Sequence, residues 1–463
     1  MDYKPTIGLE IHAELKTESK MFCSCKNDPE EKRPNFNICP VCLAHPGTLP
    51  VINKQAVKSV LRVGLALGGT IADETEFDRK NYFYPDIPKG YQISQYKYPL
   101  VSGGELLGVK LTRIHLEEDT GKSSHEGDFS LVDFNRAGLP LMELVTEPCI
   151  HSSKEAALFA MELQKVLQYL GVSHANMEKG EMRLEANISV SKNDSLGTKV
   201  EVKNLNSFKS VEKAIDFEVK RQIELIESGG AVAQETRGWN DNQNTTFSQR
   251  SKETSKDYRY FPDPDLPKLR ISEIDEFSIE SLLGSVGEIP SGKRERFKKD
   301  YGLKDADIEF YIQNASLTSF FEECATLLVD KKGFQTLSNL VVSDIAAMGG
   351  GYEDLNAKNV AELVDMFLGG EISSRVMKDI LPKIGEESPR VLAEREGLLQ
   401  KSDGAEVEKV AKGIIEANPS VAEEYRAGKV SSIQFLLGQA MKETKGSINP
   451  QVLKSAFEKL LSN

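Results

Sequence analysis

The sequence predicts an α+β protein: a mixed α/β part over residues 1–292, an all-helical part over 293–400 and a small helical unit over 405–463. Three observations carry this reading. Near the start, apolar and polar residues alternate with the period of a half-buried strand. Further on, strand-like runs are separated by stretches whose apolar residues return at helical spacing. Beyond about residue 290 only the helical period persists. At 463 residues the chain exceeds one ordinary core, which favours several domains.

The first strand covers Ile7–Leu15, with apolar residues at odd positions and Gly8, Glu10, His12 and Glu14 at even ones. Two carboxylates and an imidazole on one strand face are costly unless solvated, paired or bound to a cation. A solvent-facing sheet edge accounts for that stretch equally well. Further strands are expected at 109–118, 139–145, 182–190 and 198–202. A helix over 152–170 carries Ala157, Leu158, Met161, Leu163, Val166, Leu167 and Leu170, with Ser152 or Ser153 as cap and Gly171 as stop. A second, over 207–228, carries Val211, Ile215, Val219, Ile223 and Ile226 and ends at Gly229-Gly230. Ile289-Pro290-Ser291-Gly292 marks a composition shift, and the charged run Lys293–Lys299 opens a solvated helix. Gly349–Gly351 and Gly369-Gly370 break the helical part, and Lys401–Gly404 forms a linker. The last unit closes on the amphipathic segment Gln451–Leu461. It holds eight Lys/Arg against seven Asp/Glu and is far less acidic than the whole chain, whose net charge is −13.

That charge argues against a protein that coats nucleic acid non-specifically, while leaving room for a local basic groove. The start lacks the basic and apolar regions of a signal peptide, and no window has the length of a membrane span, so a cytoplasmic location is expected. Four of the six cysteines lie close together, as Cys23-Ser24-Cys25 and Cys39-Pro40-Val41-Cys42. Two close pairs in a chain without a secretion signal suit a four-sulfur zinc site. Four sulfurs leave no open position, so the ion would brace a loop and not catalyse. Buried free thiols and a redox pair are the alternatives, and a zinc-dependent hydrolase is a weaker functional reading.

Glu118 shares its parity with Ile114 and Leu116, and Glu143 shares its own with Leu139, Leu141 and Val145. A carboxylate on an apolar face beside the Glu10/His12 face favours a cation site, and oxygen donors with one imidazole suit Mg²⁺ or Mn²⁺. A strand that bends before the glutamate is the bland alternative. Gly121-Lys122-Ser123 is no phosphate loop, because the required earlier glycine falls on Leu116. Residues 79–98 interleave five tyrosines with basic and amide side chains, which suits a single-stranded nucleic-acid end or a base; a proline-braced packing loop explains it too. Lys203-Asn204-Leu205-Asn206-Ser207 precedes a helix, where either anion binding or N-capping by Asn206 or Ser207 is served. Cys149 and His151 stand too close for a nucleophile and its base, and Cys149 reads as a packing residue.

Together these stretches closely resemble the B subunit of the aspartyl/glutamyl-tRNA amidotransferases. The matching motifs are IGLEIHAELKTESKMF, HPGTLPVINKQAV, DRKNYFYPDIPKGYQISQ, HLEEDTGK, DFNRAGLPLMELVTEP, EVKNLNSF, QETRGW, DYRYFPDPDLP and, near the end, SSIQFLLGQAMKETKGSINP. The resemblance spans the chain and implies an α/β cradle, a helical domain and a mobile helical tail that binds tRNA. It implies ATP-dependent phosphorylation of the side-chain carboxylate of Asp-tRNA(Asn) or Glu-tRNA(Gln), followed by amidation. Ammonia would come from the A subunit, a glutamine amidase, with the small C subunit completing a heterotrimer. No Gly-Ser-rich amidase motif is present, and no inserted domain of the archaeal paralogue, which favours the bacterial-type trimer. By motif, His12, Glu118 and Glu143 would hold Mg²⁺ with Glu10 beside them, and Lys80 would gate ammonia by pairing with Glu118. Cys23, Cys25, Cys39 and Cys42 would hold zinc. Lys122, Arg136, Lys203 and Asn204 are assigned to ATP on charge alone. A non-catalytic tRNA-binding scaffold in the same complex is the alternative.

Overall fold

The computed structural model describes residues 3–251, 257–385, 387–400, 404–444 and 448–462. It divides into two compact units, Met1–Pro290 and Ser291–Asn463.

The first unit is built on one large sheet. In chain order its strands, with those of a small neighbouring sheet, are β1 (Lys4–Glu14), β2 (Thr70–Ile71), β3 (Asp78–Asn81), β4 (Tyr91–Ser94), β5 (Val101–Ser102), β6 (Val109–Glu118), β7 (Pro140–Thr146), β8 (Met182–Ser191), β9 (Val200–Leu205), β10 (Glu235–Asn240), β11 (Thr245–Ser251) and β12 (Phe261–Pro262). The large sheet runs β11-β10-β9-β8-β1-β7-β6-β5-β2, and β12-β3-β4 form the small one. All pairings of the large sheet are antiparallel except β9 with β10. The fold is thus α+β, with the expected strands in place.

The alternation in β1 explains the layering. Ile7, Leu9, Ile11 and Ala13 are fully buried, and register aligns them with Leu144 and Met142 of β7 and with Ile188, Ala186, Leu184 and Met182 of β8. Helices α1 (Lys54–Ala66), α2 (Ser153–Tyr169) and α3 (Phe208–Glu227) pack on this face through residues such as Val60, Phe159, Leu163, Val211 and Ile215 in one continuous core. Each of those side chains is worth about 1.5–3 kcal/mol on burial. Ser152 caps α2, and Ser207, not Asn206, caps α3. Helix α1 is additional to those expected; Asn53 caps it. With helices on one face, the even residues of β1 line the other, and an antiparallel sheet can leave such a face polar.

The second unit is helical. Phe297, Tyr301, Tyr311 and Phe321 pack edge to face or tilted with centroids 4.7–5.9 Å apart. Gly349 breaks the helical path at φ +61°, and Gly369 caps helix Ala357–Leu368. The expected linker residues 401–403 lie outside the described residues, and Gly404 opens helix Gly404–Ala417. From there on, Val407, Ala411, Leu436, Leu453 and Phe457 share a core of their own. Among the described residues no helix is long and apolar enough to cross a membrane.

Candidate active site

The polar face of the sheet carries a continuous strip of charge across five adjacent strands. Register places His12 between Glu143 of β7 and Arg183 of β8, and Glu10 beside Glu185. One strand further on each side, His115 faces Glu143, and Glu201 and Lys203 share the face from β9. His12 Nε2 lies 3.4 Å from Glu143 Oε2, 3.5 Å from Glu117 Oε1 and 3.8 Å from Glu10 Oε1. His115 Nε2 lies 3.4 Å from Glu143 Oε2, and Arg113 Nη2 3.6 Å from the other oxygen. Lys203 donates to Glu185 at 2.9 Å.

Three overlapping donor groups result: Glu10/His12/Glu143, His115/Glu117/Glu143 and Glu10/Glu185/Glu201, each with ligand atoms within 4.8 Å of one another. Among the described residues Glu185 Oε2 is buried without a hydrogen-bond partner. Such an orphaned oxygen, in a set of hard oxygen donors with an imidazole, fits a divalent cation such as Mg²⁺ or Mn²⁺.

The electrostatics follow from this crowding. Burial first, then Glu143 and Glu185, push Glu10 up to about 7. Burial disfavours charged His12, but Glu143, Glu117 and Glu10 outweigh it and lift the imidazole to about 9. Glu143 is held well below the usual carboxylate range, since His115 and His12 overcome the burial that opposes its charge. A metal-ligating histidine must be neutral, so cation uptake displaces a proton from His12, and below about pH 7 from Glu10 as well. The apparent affinity for Mn²⁺ is therefore expected to tighten from pH 6 towards pH 9, about tenfold per unit for each proton displaced, and then level off. Titration calorimetry in buffers of different ionisation heat measures both the affinity and the released proton. A flat profile would remove His12 from the ligand set.

Glu118 does not join the strip. It pairs in register with Pro140 and points to the opposite face of β6. There Oε1 accepts the Ile93 N–H at 2.9 Å, Oε2 accepts Lys89 at 2.5 Å, and the backbone carbonyl accepts Gln92 Nε2. Glu117 occupies the place expected of it, 3 % exposed and bonded by Ser94 Oγ at 3.2 Å. Parity rightly puts Glu118 on the apolar side with Ile114 and Leu116, but that side faces away from His12; at the end of the strand Lys89 and the Ile93 N–H satisfy its carboxylate there. Lys80, paired in register with Gln92, lies near the strip; burial disfavours its charge, but Glu117 first and then tyrosine oxygens and Glu143 raise its ammonium well above the ordinary value. It also lies 5.0 Å from the ring of Tyr258 and 5.8 Å from that of Tyr82, within cation–π range. Glu117 thus does most to hold Lys80 charged, while Glu118 is paired with Lys89.

The residues assigned to ATP disperse. Lys203 belongs to the strip. Arg136 is tied to the carbonyls of Thr120 and Gly121 at 3.0 and 2.9 Å and lies 3.5 Å from Asp119, which Arg183 also engages. Asn204 is exposed in the left-handed region at φ +65°. Lys122 starts an exposed hairpin opposite Asp133. A cavity of about 820 Å³ opens beyond the end of β1, lined by Glu14, Lys16, Asn176, Lys179, Ser207 and Phe208 among others. Burial and then Asp119 push Glu14 up to about 8. Within the aromatic stretch Tyr96 stacks on Tyr260 at 4.4 Å, and Phe83, 88 % exposed, lies against Gly90, whose φ of +71° and lack of a side chain admit the ring. Glu117, His115, Glu185, Glu201, Tyr258 and Tyr260 were missed by sequence reasoning. The available signal was Arg113-His115-Glu117 alternating with Ile114 and Leu116, an ordinary amphipathic strand.

The four cysteines lie together, all unpaired, with their sulfurs within 4.8 Å of one another. Cys42 Sγ is 3.8 Å from Cys39 Sγ, the edge of a tetrahedron with metal–sulfur bonds of about 2.3 Å. The hydrogen bond from Cys23, with help from Lys20 and against burial, lowers the Cys42 thiol to about 5. This donor set fits zinc.

Comparison with known proteins agrees with this geometry. Residues 5–275 match the family described as the GatB/GatE catalytic domain, and residues 319–461 the GatB domain. The chain is 42 % identical to proteins named as the B subunit of aspartyl/glutamyl-tRNA(Asn/Gln) amidotransferase from Crocosphaera subtropica, over all of this chain and 98 % of that one, and from Caldanaerobacter subterraneus subsp. tengcongensis, over the whole of both. The same name and identity hold for the Thermotoga maritima protein, over all of this chain and 99 % of that one. The strip of carboxylates and imidazoles therefore sits in the part of the chain matched as catalytic, and the chain belongs to the family of B subunits of the aspartyl/glutamyl-tRNA(Asn/Gln) amidotransferases.

Proposed function

We propose that this chain activates the side-chain carboxylate of mischarged Asp-tRNA(Asn) or Glu-tRNA(Gln) with ATP and presents it to ammonia, giving the amide. The observation that carries the reading is the strip on the polar face, where His12, Glu10, Glu143 and Glu117 converge beside the caged ammonium of Lys80. A carboxylate is a poor acceptor for ammonia because its oxygen is a poor leaving group, and phosphorylation supplies a good one. Phosphoryl transfer asks for positioning and charge neutralisation more than for a protein nucleophile. Divalent ions held by the three donor groups would neutralise phosphate charge during the transfer.

The residues then have distinct tasks. Glu10, His12, Glu117 and Glu143 fix the cations; Lys203, close to Glu185, offers a cation to phosphate. Lys80 and its tyrosines form a charged, narrow wall that excludes bulk water from the activated acid. The open face of Phe83 suits stacking by the unpaired 3′ end of tRNA. The partners in this reading are an amidase A subunit that supplies ammonia and a small C subunit; the relatives' designation as a B subunit supports a multi-subunit complex. Zinc at the four cysteines braces the first unit, and residues 405–463 contribute tRNA affinity.

The test is co-purification with these partners and an ATP-dependent amidation assay on both mischarged tRNAs. Product that forms only with ATP supports the reading; amidation without nucleotide would sink it. Deleting residues 405–463 separates catalysis from scaffolding. The KM for aminoacyl-tRNA is expected to rise at least tenfold while kcat stays within about threefold, the signature of lost uniform binding. Equal collapse of kcat in the truncated chain and in variants of the strip would favour a scaffold.

A further inference from the structure

Lys20 is one of the largest fully buried side chains in the protein, 1 % exposed. Its ammonium donates to the Phe134 carbonyl at 3.1 Å and lies 3.9 Å from Cys42 Sγ. Among the described residues no carboxylate pairs with it. The carboxylate across Gly138, that of Glu118, is engaged by Lys89 instead. Among the described residues the Phe134 carbonyl is the one oxygen partner of the Lys20 ammonium, and a buried ammonium so placed costs several kcal/mol unless an anion stands nearby.

The four-cysteine site supplies that anion. Four thiolates around a zinc ion carry two net negative charges in the same corner. Cys42 is arranged as an acceptor, since the Cys39 N–H also points at its sulfur at 3.1 Å. Lys20 reaches the other cysteine pair through its backbone: its N–H donates to the Cys25 carbonyl at 2.9 Å, and its own carbonyl accepts from Asn53 at the cap of α1. One residue is thus held at both ends of the metal loop, with its charge beside the sulfur that the Cys39 N–H also addresses.

We propose that Lys20 is the built-in counter-ion of the four-cysteine metal site, offsetting half of the net negative charge of the zinc–thiolate cluster and setting its metal affinity. Outer partners of metal ligands typically govern affinity by 10- to 100-fold.

The test uses the full-length chain, stripped with a chelator and refilled. Cobalt titration reports thiolate ligation through the sulfur-to-cobalt charge-transfer band, and competition with a zinc indicator gives the zinc affinity. Lys20→Met is expected to weaken zinc binding 10- to 100-fold, and Lys20→Arg to stay within about threefold of the unaltered chain. Lys20→Gln keeps a hydrogen-bond donor and removes the charge, so it is expected to follow Met; should Met fail to fold, the Arg and Gln pair carries the comparison. Wild-type zinc affinity in the Met or Gln variant would overturn the proposal. So would loss in Met with retention in Gln, which would make the contact a hydrogen bond and not a counter-charge.

Discussion

Glu117→Gln is expected to abolish ATP-dependent amidation, lowering kcat/KM about a thousandfold, whereas Glu118→Gln is expected to cost about tenfold or less. A thousandfold corresponds to about 4 kcal/mol of transition-state stabilisation, the scale of one charged ligand lost from a cation that neutralises transferring phosphate. The neighbours differ because a strand sends successive side chains to opposite faces. Glu117 Oε1 stands 3.5 Å from His12 Nε2, and its charge is the first of those that raise Lys80. Its amide would keep the bond from Ser94 but remove the charge. Glu118 binds Lys89 and the Ile93 N–H on the other side of β6. An amide oxygen there can still accept from Ile93, so the loss falls on the Lys89 pair and on thermal stability. The assay is amidation of mischarged tRNA by the assembled complex, with glutamine hydrolysis by the partner as the control for assembly. The reverse ranking, with Glu118→Gln inactive and Glu117→Gln active, would return the metal role to Glu118.

That pair also marks how far the sequence could be read. The period-2 stretch at Ile7–Leu15 placed Glu10 and His12 on one face, and the face exists, since the apolar residues that alternate with them are buried. The caps Ser152 and Ser207 and the stops Gly171 and Gly229 were local, and local chemistry suffices for them. What failed was a long-range inference. Sequence periodicity states which residues of one strand share a face, but not which face of the next strand meets it; that is set by register, here Glu143 opposite His115. Glu185 and Glu201 were illegible for the same reason, each being unremarkable in its own strand and significant only beside Glu10 across the sheet. Tyr258 meets Lys80 across a long stretch of chain, a closeness no local pattern encodes. Among the residues picked by charge, Lys203 sits on the polar face by parity, while Arg136 bonds the backbone carbonyls of its own loop.

Cys42→Ser is expected to lower the melting temperature of the first unit by about 10 °C while leaving kcat measured at low temperature within about threefold. The segment between β1 and α1, residues 15–53, contains no helix and no strand beyond a single bridge from Ser19 to Lys26. A loop of that length needs a staple, because its own hydrogen bonds do not repay the chain entropy it gives up. Four sulfurs converging from both ends of the loop provide it, and Cys42 is the buried one. Replacing one sulfur by a hydroxyl leaves three ligands and a desolvated ammonium at Lys20, a loss of several kcal/mol. That is less than the about 10–16 kcal/mol of zinc-finger peptides whose whole fold depends on the ion. At about 2–4 °C per kcal/mol for a domain of a few hundred residues, this converts to the stated shift. The strip of carboxylates lies on strands held by their own ladder, so chemistry should survive wherever the unit stays folded. Melting curves with and without a strong chelator, and limited proteolysis within residues 23–50, measure the first effect; single-turnover amidation measures the second. Lost turnover without a change in melting would mean that the cysteine site takes part in the reaction, and the closed four-sulfur geometry would then have to open during the cycle.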